Sequence, residues 1–132
     1  MRILAVEDDY ITSLVLQEIL LSFGKCDLAQ DGLKAIEFFA EAIQSDTPYD
    51  VIFLDIMMPE MDGQEVLGRI REIEEAQGIM GLEGVKVFMT TALDDYDNIS
   101  TAFKHQCEGY IVKPINKDKI ATMLFKAGLL GS

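Results

Sequence analysis

The sequence predicts an α/β fold: a doubly wound sheet of five parallel strands, with five helices covering its faces. Strand-like and helix-like periods of apolar residues alternate along the whole chain and give five strand–helix units. The third strand-like run, Val51-Ile52-Phe53-Leu54, is apolar at four successive positions, which is typical of a central strand covered on both faces. A chain of 132 residues can bury such a core as one domain without disulfides or a structural metal.

The first unit combines a buried strand over Arg2–Val6 with a helix from Tyr10 to Phe23, which Gly24 ends. Asp9 or Thr12 could cap the start of this helix. Its apolar residues share one helical face: Ile11, Leu14, Val15 and Ile19.

The second unit begins with a short strand from Cys26 to Ala29, and Asp31-Gly32 leads into its helix. The apolar residues of that helix recur at helical spacing: Ile36, Phe39, Ala40 and Ile43. Pro48 breaks the chain before the third strand, Val51 to Leu54. Pro59 opens the loop after that strand, and Asp62 is placed to cap a third helix with Val66, Ile70 and Ile73 on its apolar face.

The last two strands are expected over Val85 to Met89 and Gly109 to Val112. Asp94 or Asp95 starts the helix between them, and Asn116 caps the final helix. The residues expected to face inward from the fourth helix are Ile99, Ala102 and Phe103. Those expected to face inward from the fifth are Ile120, Met123, Leu124 and Ala127.

A glycine-rich segment, Ala76 to Gly84, separates the third helix from the fourth strand. A helix-to-strand loop lies at the amino-terminal edge of a parallel sheet, away from the edge where the strands end. It neither follows a strand nor opens a helix, so it does not fit a phosphate-binding loop. We interpret it as a tolerated insertion.

Composition restricts the class of protein. The formal charge of −12 disfavours nucleic acid or an anionic membrane surface as a direct partner. Part of that charge is interpreted as solvated helix surface, for example Glu72, Glu74 and Glu75. No uncharged apolar tract is long enough to insert into a membrane, and the amino terminus does not fit a signal peptide. Two isolated thiols, Cys26 and Cys107, suit packing in a reduced, cytoplasmic protein.

Chemically active side chains follow four of the five apolar runs. Glu7-Asp8-Asp9 follows the first run, Asp55 the third, Thr90-Thr91 the fourth and Lys113-Pro114 the fifth. Open α/β sheets bind ligands at the edge where parallel strands end, so these groups should converge there. Carboxylates without histidine or cysteine favour Mg²⁺, with Mn²⁺ as a substitute, and Mg²⁺ also suits a phosphoryl group.

Each residue of this set also has a simpler explanation when it is taken alone. Acids at Glu7-Asp8-Asp9 could complement the dipole of the following helix, and Lys113 could cover apolar sheet edge with its stem. Thr91 could cap the next helix instead of meeting a phosphoryl oxygen. Asp55 is harder to explain in this way, since a carboxylate that closes so apolar a strand is costly beside other acids without a cation.

Four segments resemble the receiver domain of bacterial two-component response regulators, including the single-domain chemotaxis type. They run from Ile3 to Asp9, from Leu54 to Gly63 (LDIMMPEMDG), from Met89 to Ala92 and from Gly109 to Ile115. They occur in the family's order and extend over nearly the whole chain. The resemblance implies a flavodoxin-like sheet of order 2-1-3-4-5 and one receiver domain over residues 1–132, with no output domain.

The resemblance also implies a role for each matching residue. Asp55 is the phosphoacceptor, and Lys113 and Thr91 assist the transfer. Thr91 takes the hydroxyl role, not Thr90, because Ala92 follows it. Thr91 and Tyr110 form the switch pair, and the Lys113–Pro114 peptide is cis. The residues expected to hold the metal are Glu7, Asp8, Asp55 and the backbone carbonyl of Met57.

The implied function is a phosphorylatable regulator that modifies itself on Asp55 and is not a turnover enzyme. Its donor would be a sensor histidine kinase or a histidine phosphotransfer protein, and an unknown downstream protein would read the result. The expected readout surface comprises the fourth helix, fifth strand and fifth helix, including Asp95, Tyr96, Ile99, Lys104, Lys117 and Lys119. A phosphorelay intermediate is the nearest alternative.

Three other classes of protein fit less well. A small Mg²⁺-dependent phosphatase with an aspartyl nucleophile would need a second acid two residues after Asp55, where Met57 stands. A dinucleotide-binding module would need a glycine-rich loop where Glu7-Asp8-Asp9 stands. A purely structural domain would give the strand-end acids no reason to cluster.

Overall fold

Strands and helices alternate along the chain as the apolar periods predict. The structure is a computed structural model that describes residues 1–58, 61–79, 83–92 and 107–130. Its five strands are β1 (Arg2–Val6), β2 (Lys25–Ala29), β3 (Val51–Asp55), β4 (Lys86–Thr91) and β5 (Gly109–Val112). Its helices are α1 (Tyr10–Leu21), α2 (Gly32–Gln44), α3 (Gly63–Ala76) and α4 (Lys117–Lys126).

All strands pair in parallel in the order β2-β1-β3-β4-β5, which confirms the predicted fold class and strand order. The predicted fourth helix, which Asp94 or Asp95 would start, lies outside the described residues, as does the preceding residue, Leu93. The final predicted helix is therefore α4 here. Pro59 and part of the glycine-rich segment also lie outside the described residues.

Four polar side chains begin the described helices. Asp9, Asp31, Asp62 and Asn116 each accept a hydrogen bond from the backbone amide three residues later. That bond satisfies one of the amides that the first helical turn leaves without a partner. The residue that caps the start of α1 is therefore Asp9 and not Thr12. The amide and the hydroxyl of Thr12 both donate to the Asp9 side chain.

Two apolar layers cover the sheet. On one face, α2 and α3 pack on β-strand residues of even number in β3, such as Ile52 and Leu54. On the other face, α1 and α4 pack on residues of odd number, such as Val51 and Phe53. Because successive side chains of a strand alternate between faces, this division tells which strand-end side chains share a side.

The apolar face that the sequence indicates for α1 is not the buried one. Ile11 is 66% exposed and Val15 52% exposed, whereas Ser13, Leu16 and Leu20 are buried. The helix is apolar on more than one side, so its periodicity did not determine which side meets the sheet. Ser13 can be buried because its hydroxyl donates to the Tyr10 carbonyl at 2.6 Å.

Glu74 also differs from its sequence interpretation as a surface charge. Its side chain is buried, accepts a hydrogen bond from the Val85 amide at 2.6 Å and pairs with Arg71 at 2.7 Å. Gly84 lies against this pair, since a Cβ there would lie 2.7 Å from a Glu74 carboxylate oxygen. The contacts tie the end of α3 to the chain entering β4, at the sheet edge opposite Asp55.

Both cysteines are free and half-buried, as packing residues would be. Burial, with a smaller effect of Asp27, raises the pKa of Cys26 to about 11. Among the described residues, no helix has the length and apolar character needed to cross a membrane.

Candidate functional site

The strand ends bring three predicted acids and the predicted lysine together. Glu7 follows the last residue of β1, Asp55 ends β3 and Lys113 follows β5. Val6 is in register with Leu54, so Glu7 and Asp55 leave adjacent strands at the same level. Carboxylate oxygens of Glu7, Asp8 and Asp55 all lie within 4.8 Å of one another.

Lys113 joins the two buried acids of this cluster. Its Nζ lies 3.2 Å from Glu7 Oε2 and 3.4 Å from Asp55 Oδ2. The peptide between Lys113 and Pro114 is cis, as the resemblance implied. The Glu7 side chain is 1% exposed and the Asp55 side chain 4%, while Asp8 is exposed. One cation therefore faces two buried carboxyl groups, and Asp8 adds a third at the mouth of the cluster.

This crowding changes the acidity of the groups. Burial, and then the nearby Glu7 charge, raises the pKa of Asp55 to about 7, while Lys113 acts in the opposite direction. Burial lowers the pKa of Lys113, but the Asp55 and Glu7 carboxylates outweigh burial and raise it above its ordinary value. A bound cation would relieve the repulsion between the acids.

The donor set fits a magnesium ion. The nearby ligand atoms are hard carboxylate oxygens, two buried and one accessible, and Mg²⁺ takes one or two carboxylates while keeping several waters. The Met57 amide donates to Asp55 Oδ1 at 3.1 Å, which orients the carboxylate from the loop side. Met57 itself is 59% exposed.

The contacts that the structure gives for Thr91 and Tyr110 lie outside this cluster. The Thr91 hydroxyl donates to the Ala92 carbonyl at 3.0 Å. Tyr110 packs against the apolar layer on the side of α2 and α3. Asp95, Tyr96, Ile99 and Lys104, expected on the readout surface, lie outside the described residues.

Two features of the site were not anticipated from the sequence. Thr90, and not Thr91, is in register with Asp55. The exposed face of α1 borders the site through a groove lined by Ile11, Val15, Lys113, Pro114 and Ile115. The first feature could be found only from the pairing of β3 with β4. The second could be found only from knowing which face of α1 packs on the sheet.

Comparison with known proteins identifies one family. Residues 3–125 match the family model described as the response regulator receiver domain. The chain is 34% identical over 130 residues to a probable histidine kinase 2 of Oryza sativa subsp. indica, covering 91% of this chain but 12% of that protein. It is 29% identical over 120 residues to the chemotaxis protein CheY of Halobacterium salinarum, covering 90% of this chain and 89% of that protein.

A solved structure shares the fold. The receiver domain of the histidine kinase CKI1 from Arabidopsis thaliana, complexed with Mg²⁺ and BeF₃⁻, superimposes with a TM-score of 0.76 at 23% identity. The match covers 96% of this chain and 89% of that one. The family model covers nearly the entire chain and the strand order agrees with it, so the chain belongs to the response regulator receiver domain family.

Proposed function

We propose that this receiver domain accepts a phosphoryl group on Asp55 and signals through the resulting change of its surface. Receiver domains are signalling domains of two-component and phosphorelay systems that interact with histidine kinases or phosphotransfer proteins. The observation that supports the proposal most directly is the cluster of Asp55, Glu7, Asp8 and Lys113 at the ends of the strands.

In the proposed reaction an Asp55 oxygen attacks the phosphorus of a phosphohistidine in line with the bond that breaks. An oxygen–phosphorus bond forms, the phosphorus–nitrogen bond breaks, and the imidazole nitrogen keeps the electron pair. Lys113 neutralises charge on the phosphoryl oxygens, as its position beside Asp55 allows. The Thr91 hydroxyl would leave the Ala92 carbonyl and donate to a phosphoryl oxygen instead. The side chain of Tyr110 would then turn into the space that Thr91 vacates.

Asp8 and Asp55 would hold Mg²⁺, with Glu7 acting through water and the Met57 carbonyl completing the protein ligands. When bound, the ion would neutralise charge on the acids and on the phosphoryl group. Its presence in the receiver domain of CKI1 supports this assignment. Mn²⁺ has a similar preference for oxygen ligands and is expected to substitute.

Acetyl phosphate tests the proposal without any knowledge of the natural donor. With MgCl₂ present, the wild type should gain the mass of one phosphoryl group, and hydroxylamine should remove it because the product is an acyl phosphate. Asp55→Asn should gain nothing. Asp62→Asn is the matched control, since Asp62 caps α3 and asparagine caps equally well. A wild-type protein that stays unmodified under these conditions would exclude the proposal.

The exposed apolar face of α1 is the proposed docking surface for the protein that carries the phosphohistidine. Ile11 and Val15 line the groove that ends at Lys113, so a donor covering them would place its histidine beside Asp55. Tyr10 and Leu14, also exposed, extend the apolar surface along the same helix. An apolar surface next to the reacting group favours a protein donor over a small molecule alone.

Replacement of these side chains should separate the two kinds of donor. The double variant Ile11→Ser, Val15→Ser should keep its labelling by acetyl phosphate. Its labelling by a phosphorylated histidine kinase or phosphotransfer domain should fall about tenfold or more, because burial of each side chain is worth about 1.5–3 kcal/mol. Leu21→Ser is the control, since Leu21 is as exposed but lies at the far end of α1. Equal loss with both donors would contradict the docking surface.

A further inference from the structure

Thr90 carries a buried hydroxyl without a hydrogen-bond partner. The residue is 1% exposed, and its Oγ1 is the one buried side-chain nitrogen or oxygen without a partner in the part of the chain that the structure describes. Buried polar groups are nearly always hydrogen-bonded, because water no longer satisfies them. An exception next to a reactive group suggests that its partner arrives with a ligand.

The sheet places this hydroxyl beside Asp55. The two residues are Cα partners across β3 and β4, and neighbouring strands lie about 4.8 Å apart. Phe53 and Phe88, each two residues earlier, both belong to the apolar layer on the side of α1 and α4. Strand alternation therefore directs Asp55 and Thr90 to the same face of the sheet.

Asp55 makes no hydrogen bond to the Thr90 hydroxyl, and both oxygens of its carboxyl group contact other residues. One oxygen is 3.4 Å from Lys113 and the other accepts from the Met57 amide. Glu7 lies on the β1 side, with a carboxylate oxygen within 4.8 Å of an Asp55 carboxylate oxygen. Asp55 thus lies between Glu7, which follows β1, and the unpartnered hydroxyl of Thr90 on β4.

Thr91 does not fill this position. In the free protein its hydroxyl donates to the Ala92 carbonyl, and alternation along β4 places it on the other side of the strand from Thr90, so Thr91 would reach a phosphoryl group from a different direction. The two adjacent threonines are therefore not interchangeable.

We propose that Thr90 supplies a second hydroxyl to the site, one that has no partner in the free protein and donates a hydrogen bond to the phosphoryl group as it is transferred to Asp55. The inference rests on the proposed function. Phosphorylation turns the carboxyl group into an acyl phosphate, which brings additional acceptor oxygens to this position. Thr90 then donates to one of these oxygens and keeps its proton. A bond present only in the modified state stabilises that state relative to the free one.

Two variants separate the hydroxyl from the shape of the side chain. Thr90→Val keeps the shape and removes the hydroxyl, while Thr90→Ser keeps the hydroxyl and removes the methyl group. Thr90→Ala also removes the hydroxyl and serves if the valine variant does not fold. The measurements are the rate of labelling by acetyl phosphate and the rise in melting temperature on adding Mg²⁺ with BeF₃⁻, a phosphoryl mimic.

We expect Thr90→Val to be labelled about tenfold more slowly than wild type, as the loss of one hydrogen bond implies. Its temperature shift with BeF₃⁻ should be smaller, while Thr90→Ser should behave as wild type. Free Thr90→Val should melt higher than free wild type, because an unpaired buried hydroxyl is removed. If Thr90 had only a structural role, the variant would show the higher melting temperature but neither the slower labelling nor the smaller BeF₃⁻ shift.

Two results would overturn the inference. One is Thr90→Val with the labelling rate and BeF₃⁻ shift of wild type. The other is Thr90→Ser failing as badly as Thr90→Val, which would assign the effect to packing. Wild-type protein that is not labelled at all would instead exclude phosphorylation on Asp55.

Discussion

Asp55 is a carboxylate whose charged form is disfavoured in the free protein. Its folded-state pKa of about 7 lies above the value near 4 expected for an unfolded aspartate, owing to burial and then to Glu7. Folding therefore takes up a proton between these two pH values. The stability from this group is fully present below about pH 4 and is lost as the pH rises through about 7.

Asp55→Asn should remove that loss, because asparagine has the same shape and no charge. In EDTA at pH 8 the variant should be more stable than wild type by on the order of 4 kcal/mol. The difference should shrink as the pH falls toward about 4. Urea unfolding as a function of pH measures both effects.

Asp31→Asn is the control for this prediction. Asp31 caps α2 with its side chain exposed, and asparagine caps equally well, so its curve should follow that of wild type. An Asp55→Asn protein less stable than wild type at pH 8 would show that Asp55 is not destabilised by its neighbours.

At the scale of elements, the two edges of the sheet perform separate tasks. Strand ends carry Glu7, Asp55 and Lys113 at one edge, and Glu74 with Arg71 holds the entry to β4 at the other. Arg71 also donates to the Val85 carbonyl at 2.9 Å and lies 3.6 Å from Glu108, whose carboxylate accepts from Val87. These contacts join α3, β4 and the chain entering β5.

Glu74→Ala should therefore destabilise the fold without altering the chemistry. It removes the ion pair with Arg71 and leaves the buried Val85 amide without its acceptor, a loss of about 3 kcal/mol. The melting temperature should fall, while the folded variant should be labelled by acetyl phosphate at the wild-type rate.

Glu75→Ala is the matched control, since Glu75 is the next residue on α3 and is exposed. It should change the melting temperature little. Slower labelling of folded Glu74→Ala would mean that the two edges of the sheet are coupled.

At the scale of the whole molecule, the net charge of −12 has two components. Most acids are solvated, but Glu7 and Asp55 are buried near each other and close to Asp8. Salt of any kind screens the first component, whereas only a cation that enters the cluster relieves the second. The two can be separated by comparing salts of equal ionic strength.

Mg²⁺ should stabilise the wild type beyond what NaCl of equal ionic strength achieves. At ten times its dissociation constant the extra stabilisation should be about 1.4 kcal/mol, because the ion binds the folded site alone. Thermal unfolding measures it, and Asp8→Asn should reduce it by removing one ligand. Equal effects of MgCl₂ and NaCl would remove the metal from the proposed mechanism.

Local patterns in the sequence were sufficient for the strands, for the helix starts at Asp31, Asp62 and Asn116, and for the meeting of Glu7, Asp8, Asp55 and Lys113. These features depend on short-range periodicity, on capping and on the rule that parallel strands end at one edge. The helical spacing of the apolar residues Ile36, Phe39, Val66 and Ile70 likewise identified α2 and α3.

Only the tertiary structure decided which side of α1 is buried, that Glu74 lies inside, and that Thr90 stands beside Asp55. Each of these features depends on contacts between separate parts of the fold. Helix α1 is apolar on several sides and can pack in more than one way. Glu74 is buried only because the Val85 amide and Arg71 meet its carboxylate. The register between β3 and β4 is likewise a relation between two segments, which neither segment's residues contain alone.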